Sequence, residues 1–401
     1  MKTVFTIKHT TIVITGIILM VACSKMEPPL PADEDVLDGP LEGLTYAQRA
    51  QFLAGDIAFN DDIFNTSNGL GPLFVANSCG GCHAGDGKGT PFTTLTRFGQ
   101  TDSTGNKFLH AGGPQLQNRA IPGYQPESIP AGATFSRFTP PANTGLGFLE
   151  LVSDADILAM ADRDDNNGDG ISGVPNWNNV PDFVSIPQGA ISQNGKFICR
   201  FGKKASTFDL MQQTATAYVQ DMGVISSYMP TDTWSGLYGD YEVTDNSVND
   251  VVAYLRMLKA PIQRNQNDPQ VQQGEDVFKQ IGCEGCHKQT LQTGYSPIDA
   301  LSYKTFHPYT DLLLHNMGSS LDDGYTEGSA QTSEWRTPPL WGLGLSPDSQ
   351  GGNYFLMHDG RATSIESAIL MHGGEGSSSQ LQYTQLSSGD KEALIAFLKS
   401  L

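Results

Sequence analysis

Basic charge is scarce in this 401-residue chain: 24 Lys and Arg stand against 43 Asp and Glu, a formal net charge of −19 with histidine neutral. No basic run is long enough to track a phosphate backbone. A body of this charge repels nucleic acid, so nucleic-acid binding is excluded and basic partners are favoured. Long apolar runs are missing too. The one candidate, Thr11 to Ala22, is shorter than the ~20 residues that span a bilayer and follows Lys2 and Lys8, the layout of a secretion signal. It ends in Met20-Val21-Ala22-Cys23, which has the form of a lipobox, with Met20 where Leu is usual; there Cys23 is lipidated and becomes the mature N-terminus. Removing residues 1–22 takes Lys2 and Lys8 away and moves the charge from −19 to −21. Residues 23–40, polar and Pro-containing, then read as a tether. The expected location is exported, on the periplasmic side or cell envelope, with Cys23 anchoring the protein to a membrane it does not span.

Cysteine is sparse as well: Cys23, Cys79, Cys82, Cys199, Cys283 and Cys286. With Cys23 assigned to lipid, four of the other five fall in two copies of C-x-x-C-H, "SCGGCH" and "GCEGCH". A disulfide framework does not explain the paired histidines, and a structural zinc site wants a fourth Cys or His close by. A thioredoxin-like dithiol has no use for an obligatory histidine. C-x-x-C-H is the attachment signature of c-type haem: two thiols add to the vinyl groups and the adjacent histidine lies under the iron. Cys79, Cys82 and His83 are therefore expected to hold one haem, and Cys283, Cys286 and His287 another. Cys199, in "KFICRFGKK", reads as a buried free thiol.

Regular patterning is confined to the flanks of these motifs, because 44 Gly and 23 Pro make the rest loop-rich. Before the second motif, Asp268 suits a helix cap, Pro269 the first helical position, and Val271, Val277 and Phe278 an inner face. The chain closes with "SSGDKEALIAFLKSL", an amphipathic helix capped by Ser388 or Asp390, and its "IAFLK" recurs at 252–256 as "VAYLR". The expected fold is mainly α, with two cytochrome c-like domains, 41–262 and 266–401, the first enlarged by a long loop-rich insertion.

In order along the chain, "GLGPLFVANSCGGCH", "GPQLQNRAIPG", "DNNGDGISG", "RFGKKA", "LLLHNMG", "RTPPLWGLG" and "MHDGRATSIESAILMHGGEG" resemble the motifs of the bacterial di-haem oxidoreductases. That family is described as peroxidases and was earlier labelled thiol oxidoreductases. "RFGKKA" departs from its pattern, since an aromatic is expected in place of Lys203. The C-terminal motifs are also similar to the second domain of bacterial di-haem cytochrome c peroxidases. The resemblance implies that the C-terminal haem receives electrons, from a small donor such as a c-type cytochrome, and that the N-terminal haem reduces peroxide or acts on another small substrate. It places His372 at the distal-ligand position of the C-terminal haem, with Met317 as the other candidate, and His358 beside Asp359 and Arg361 near a propionate. For the N-terminal haem His110 is the sole candidate histidine, and Gln115, with Gln117 and Glu127 as alternatives, would line the peroxide pocket. The label of thiol oxidoreductase finds no support, because haem attachment leaves no free dithiol.

"DRDDNNGDGISG" carries D-x-N-x-D-G at Asp165, Asn167, Asp169 and Gly170, the first half of an EF-hand-like calcium loop, with Asn176 where the bidentate Glu belongs. Trp177 just beyond could relay electrons or simply pack. Two further functions stay open: a di-haem electron carrier with no open iron, and a sensor binding a diatomic ligand. The long insertion favours an enzyme, since a carrier needs only two minimal modules.

Overall fold

The repeat visible in the sequence becomes two crossed helix pairs built on one plan. The computed structural model describes residues 32–102, 104–236 and 238–401; the expected signal segment 1–22 and Cys23 lie outside them. Residues 1–36 and 37–401 separate as two units, and all that follows concerns the second. Six helices position the site: α1 (Tyr46–Asn60), α2 (Leu210–Met222), α3 (Asp245–Met257), α4 (Pro269–Gln280), α5 (Ile365–Leu370) and α6 (Ser388–Ser400). A capping box starts α1, with Thr45 and Gln48 each accepting the other's backbone N–H. Asp268 caps α4 and Pro269 opens it, as expected from the sequence. The cap of α6 is Ser387, one residue before Ser388, its hydroxyl accepting from Asp390 N–H.

Helix α1 packs on α3, and α4 on α6. Each crossing has a glycine at the contact. A Cβ on Gly55 would meet Asp250 O at 2.1 Å, and one on Gly274 would meet Ala393 O at 2.0 Å. Four residues on, Phe59 meets Tyr254 with ring centroids 5.5 Å apart, and Phe278 meets Phe397 at 5.4 Å. Tyr254 and Phe397 are the aromatic residues of "VAYLR" and "IAFLK". On helix propensity alone, Gly274→Ala would stabilise by up to ~1 kcal/mol. Backbone contact reverses the sign: the helices must part, at about 1–3 kcal/mol for overpacking. Urea unfolding of Gly274→Ala should show a lower midpoint than the wild type.

The expectation of a mainly α fold needs correction. The ten α-helices of the described residues make up well under half of those residues and are joined by long loops and small antiparallel sheets. Those that frame the site are β1 (Leu95–Phe98) with β2 (Phe135–Phe138), β3 (Asn176–Asn178) with β4 (Lys196–Cys199), and β5 (Leu314–Asn316) with β6 (Glu334–Arg336). Gly and Pro punctuate the segments between the helix pairs too often for helices to propagate. The halves also share a core: Leu149, Leu255 and Leu258 cluster with Leu301, Phe306 and Trp341, which follow the second C-x-x-C-H. No helix of the described residues is long and apolar enough to cross a membrane.

Candidate functional site

Both C-x-x-C-H segments fold into the same turn. His83 N–H donates to Cys79 O at 3.0 Å, and His287 N–H to Cys283 O at 3.0 Å. Each histidine then anchors its ring through Nδ1: His83 to Pro141 O at 2.9 Å, His287 to Tyr309 O at 3.0 Å. That bond sets the tautomer and leaves Nε2 unprotonated and free to bind a metal. Burial, first, lowers both imidazoles to about 4, so they are neutral at physiological pH. The thiols move the other way. Burial pushes Cys79 and Cys283 up to about 12 and Cys82 to about 11, the reverse of an activated redox dithiol.

The two turns open on one continuous cavity of about 830 Å³ lined by Cys79, Cys82, His83, Cys283, Cys286 and His287. The residues present fit haem. Each turn supplies two thiols and a free imidazole Nε2. Moreover, four polar atoms of cavity-lining residues, Asn143 Nδ2, Thr144 Oγ1, Thr214 Oγ1 and Tyr218 Oη, are buried without a protein partner. Such atoms are costly unless a bound group or water meets them.

His372, just past the end of α5, lines the same cavity. Its Nδ1 donates to Ala368 O at 2.8 Å, the same anchoring as the two motif histidines, and it lies close enough to His287 to lower that residue's basicity. Met317 also lines the cavity, packed among Phe138, Leu321, Tyr325 and Trp335. His358 stacks on Trp335, ring centroids 3.7 Å apart and planes within 8°, and its Nε2 is 3.6 Å from Asp323 Oδ2. Burial lowers it to about 3. Asp359 beside it is paired with Arg361.

The three residues expected at the peroxide pocket are placed otherwise. Gln115 and Gln117 are buried but do not line the cavity; Gln115 donates to Asp221, and Gln117 to Val219 O and Gln220 O. Glu127 accepts Gln117 N–H at 2.7 Å and faces a separate cavity, with His110 and Trp234. In the Asx-rich loop the side chains serve the loop's own turns: Asp165 accepts Gly170 N–H, Asn167 accepts Asp169 N–H, and Asn167 Nδ2 donates to Asp169. Trp177 packs on the core outside the cavity, and Cys199 is buried.

Three features escaped the sequence reading. Asp221, on α2, lines the cavity close enough to Cys79 and Cys82 to raise both thiols. Burial, first, lifts its own carboxyl to about 6, against the amide of Gln115 and the charge of Arg97. Its helix turns Thr214 and Tyr218 to the same cavity. His315 is clamped between Asp311 at 2.8 Å and Glu375 at 2.7 Å, beside Cys286. Burial disfavours its charge, yet the two carboxylates hold it protonated. Lys204, fully buried, donates to three backbone carbonyls and sits 3.8 Å over the Trp335 ring, opposite His358.

Residues 136–401, two-thirds of the chain, match the family described as "Di-haem oxidoreductase, putative peroxidase". The second C-x-x-C-H lies inside that span and the first precedes it. No functionally curated protein matches. Among solved structures the chain is similar to hydrazine synthase of Kuenenia stuttgartiensis, pressurized with 20 bar xenon, at 14 % identity over 94 % of each chain with a TM-score of 0.39, too distant to inform the site. With two C-x-x-C-H turns on one cavity and a family match over most of the chain, this protein belongs to the di-haem oxidoreductases.

Proposed function

We propose that the protein is an exported, peroxidase-type enzyme carrying two covalently attached c-type haems, one on Cys79, Cys82 and His83, the other on Cys283, Cys286 and His287. The observation that carries this reading is the asymmetry of the cavity. His372 offers a second imidazole close to His287, whereas His83 is the only histidine of the first half that lines the cavity, among the described residues. Bound haem supplies iron that changes oxidation state and, where a sixth position is open, a place for peroxide. The chain's own residues account for the rest. His372, with Met317 as the alternative, would be the chain's second ligand to a haem held at His287. A haem held at His83 would meet no second histidine from the described residues of the first half, and Asp221 would hold a proton beside Cys79 and Cys82. Two electrons and two protons convert H2O2 to two waters. The C-terminal half would be the one to take electrons from a small donor protein, such as a basic c-type cytochrome drawn to the acidic surface.

Gln115 acts here by orienting Asp221, to which it donates, with Gln117 and Glu127 bracing the loop behind it. Calcium at Asp165, Asn167 and Asp169 and a lipid at Cys23 are part of the same proposal, on the strength of their sequence patterns. The alternative is a di-haem electron carrier with both irons closed. Half-reduction decides between them: the enzyme shows a high-spin N-terminal haem that reacts with peroxide, the carrier only low-spin iron.

A further inference from the structure

Of the cations that line the cavity, three come from separate segments and lie close to one another: Lys88 after the first motif, Lys203 after β4, and Arg336 at the end of β6. They are held together by the fold. Arg336 N–H donates to Lys203 O at 3.0 Å, and Arg336 Nε to Gly202 O at 2.9 Å. Arg200, three residues earlier, is fixed by Val152 O and by the buried carboxylate of Asp154. Neither the Lys88 nor the Lys203 ammonium has a hydrogen bond or ion pair among the described residues. The nearest carboxylates are already engaged, Asp359 by Arg361 and Asp311 by His315. In a chain of net charge −19, three converging cations without a protein counter-ion are not a surface accident. Burial, with the neighbouring cations, lowers Lys203 to about 7; burial alone lowers Lys88 to about 8. An anion between them would reverse both effects. Lys203 also lies close enough to His83 and His358 to reduce their basicity, so the cluster sits beside the first haem-binding turn.

We propose that Lys88, Lys203 and Arg336 form a carboxylate-binding site that receives a propionate of the haem held at His83. Guanidinium and ammonium groups are the usual partners of carboxylates at buried sites. The same chemistry would accept a small carboxylate from solution, and the test separates the two. The inference rests on the haem reading of the cavity and not on peroxide chemistry.

The experiment compares haem-loaded wild type, Lys203→Gln and Lys203→Arg, with haem content checked as the pyridine haemochrome. Midpoint potentials are read by spectroelectrochemical titration, with and without sodium acetate. For a propionate, Lys203→Gln lowers the potential of one haem in the absence of acetate, Lys203→Arg restores it, and acetate changes nothing. For a carboxylate from solution, wild type alone shows a saturable acetate shift. Potentials of loaded Lys203→Gln identical to wild type in both media would overturn the site. If Lys203→Gln does not load haem, Lys88→Gln is read by the same criteria. A wild type that carries no haem would instead sink the haem reading itself.

Discussion

Replacing Cys79 and Cys82 together by serine is expected to leave one covalently bound haem per chain instead of two, and the Cys283→Ser/Cys286→Ser pair should do the same. Each turn carries its own two cavity-lining cysteines, and no other cysteine of the described residues lines the cavity, since Cys199 is buried in β4. The consequences should differ. Without the N-terminal haem, the protein still accepts electrons but no longer consumes peroxide. Without the C-terminal haem, peroxide turnover supported by a donor protein fails while the N-terminal haem remains. Mass spectrometry of the intact chain and haem-stained gels give the count. Retention of two haems in either double variant would contradict the assignment of the turns.

Asp221→Asn is expected to slow peroxide-driven reoxidation of the reduced protein by roughly 10²–10⁴-fold, the range for loss of a positioned acid or base. Reduction by an electron donor should be unchanged. Burial holds the Asp221 carboxyl at about 6, against an ordinary 3.8, so in the folded protein it keeps its proton across a range where a solvated Asp has lost it. The wild-type rate should therefore fall as pH rises through about 6, and the variant should lose this limb. The sign for stability follows from the same shift. A carboxyl raised on folding adds stability that is complete below 3.8 and is lost as pH rises through about 6. Stopped-flow reoxidation between pH 5 and 8 measures the first effect. A variant with the wild-type rate and profile would remove Asp221 from the reaction.

What the sequence makes legible here is local. C-x-x-C-H needs five consecutive residues, and the cap at Asp268 with Pro269 needs two, so both can be read without knowing the fold. The repeated "VAYLR" and "IAFLK" mark equivalent crossings because a close helix pair imposes the same pattern twice. The cavity wall is not local. Trp335 meets Lys204 and His358 from segments far apart in the chain, and no periodicity announces such a meeting. Gln115, Gln117 and Glu127 sit in a loop, where side-chain direction follows backbone turns that residue types do not specify. Asp221 could have been found. Thr214, Tyr218 and Asp221 recur at helical spacing on a helix otherwise buried by Leu210, Ala215, Val219 and Met222, a polar stripe that needs a reason. The mainly α expectation rests on the helices that flank the motifs, whereas loops and small sheets fill the long segments between them.

The central claim is that one iron is open and the other closed, and EPR of the purified protein after one-electron reduction tests it most directly. The account predicts a high-spin signal from the N-terminal haem in this state that disappears on adding peroxide, with the C-terminal haem low-spin throughout. Two low-spin haems, both unchanged by peroxide, would contradict it and leave an electron carrier.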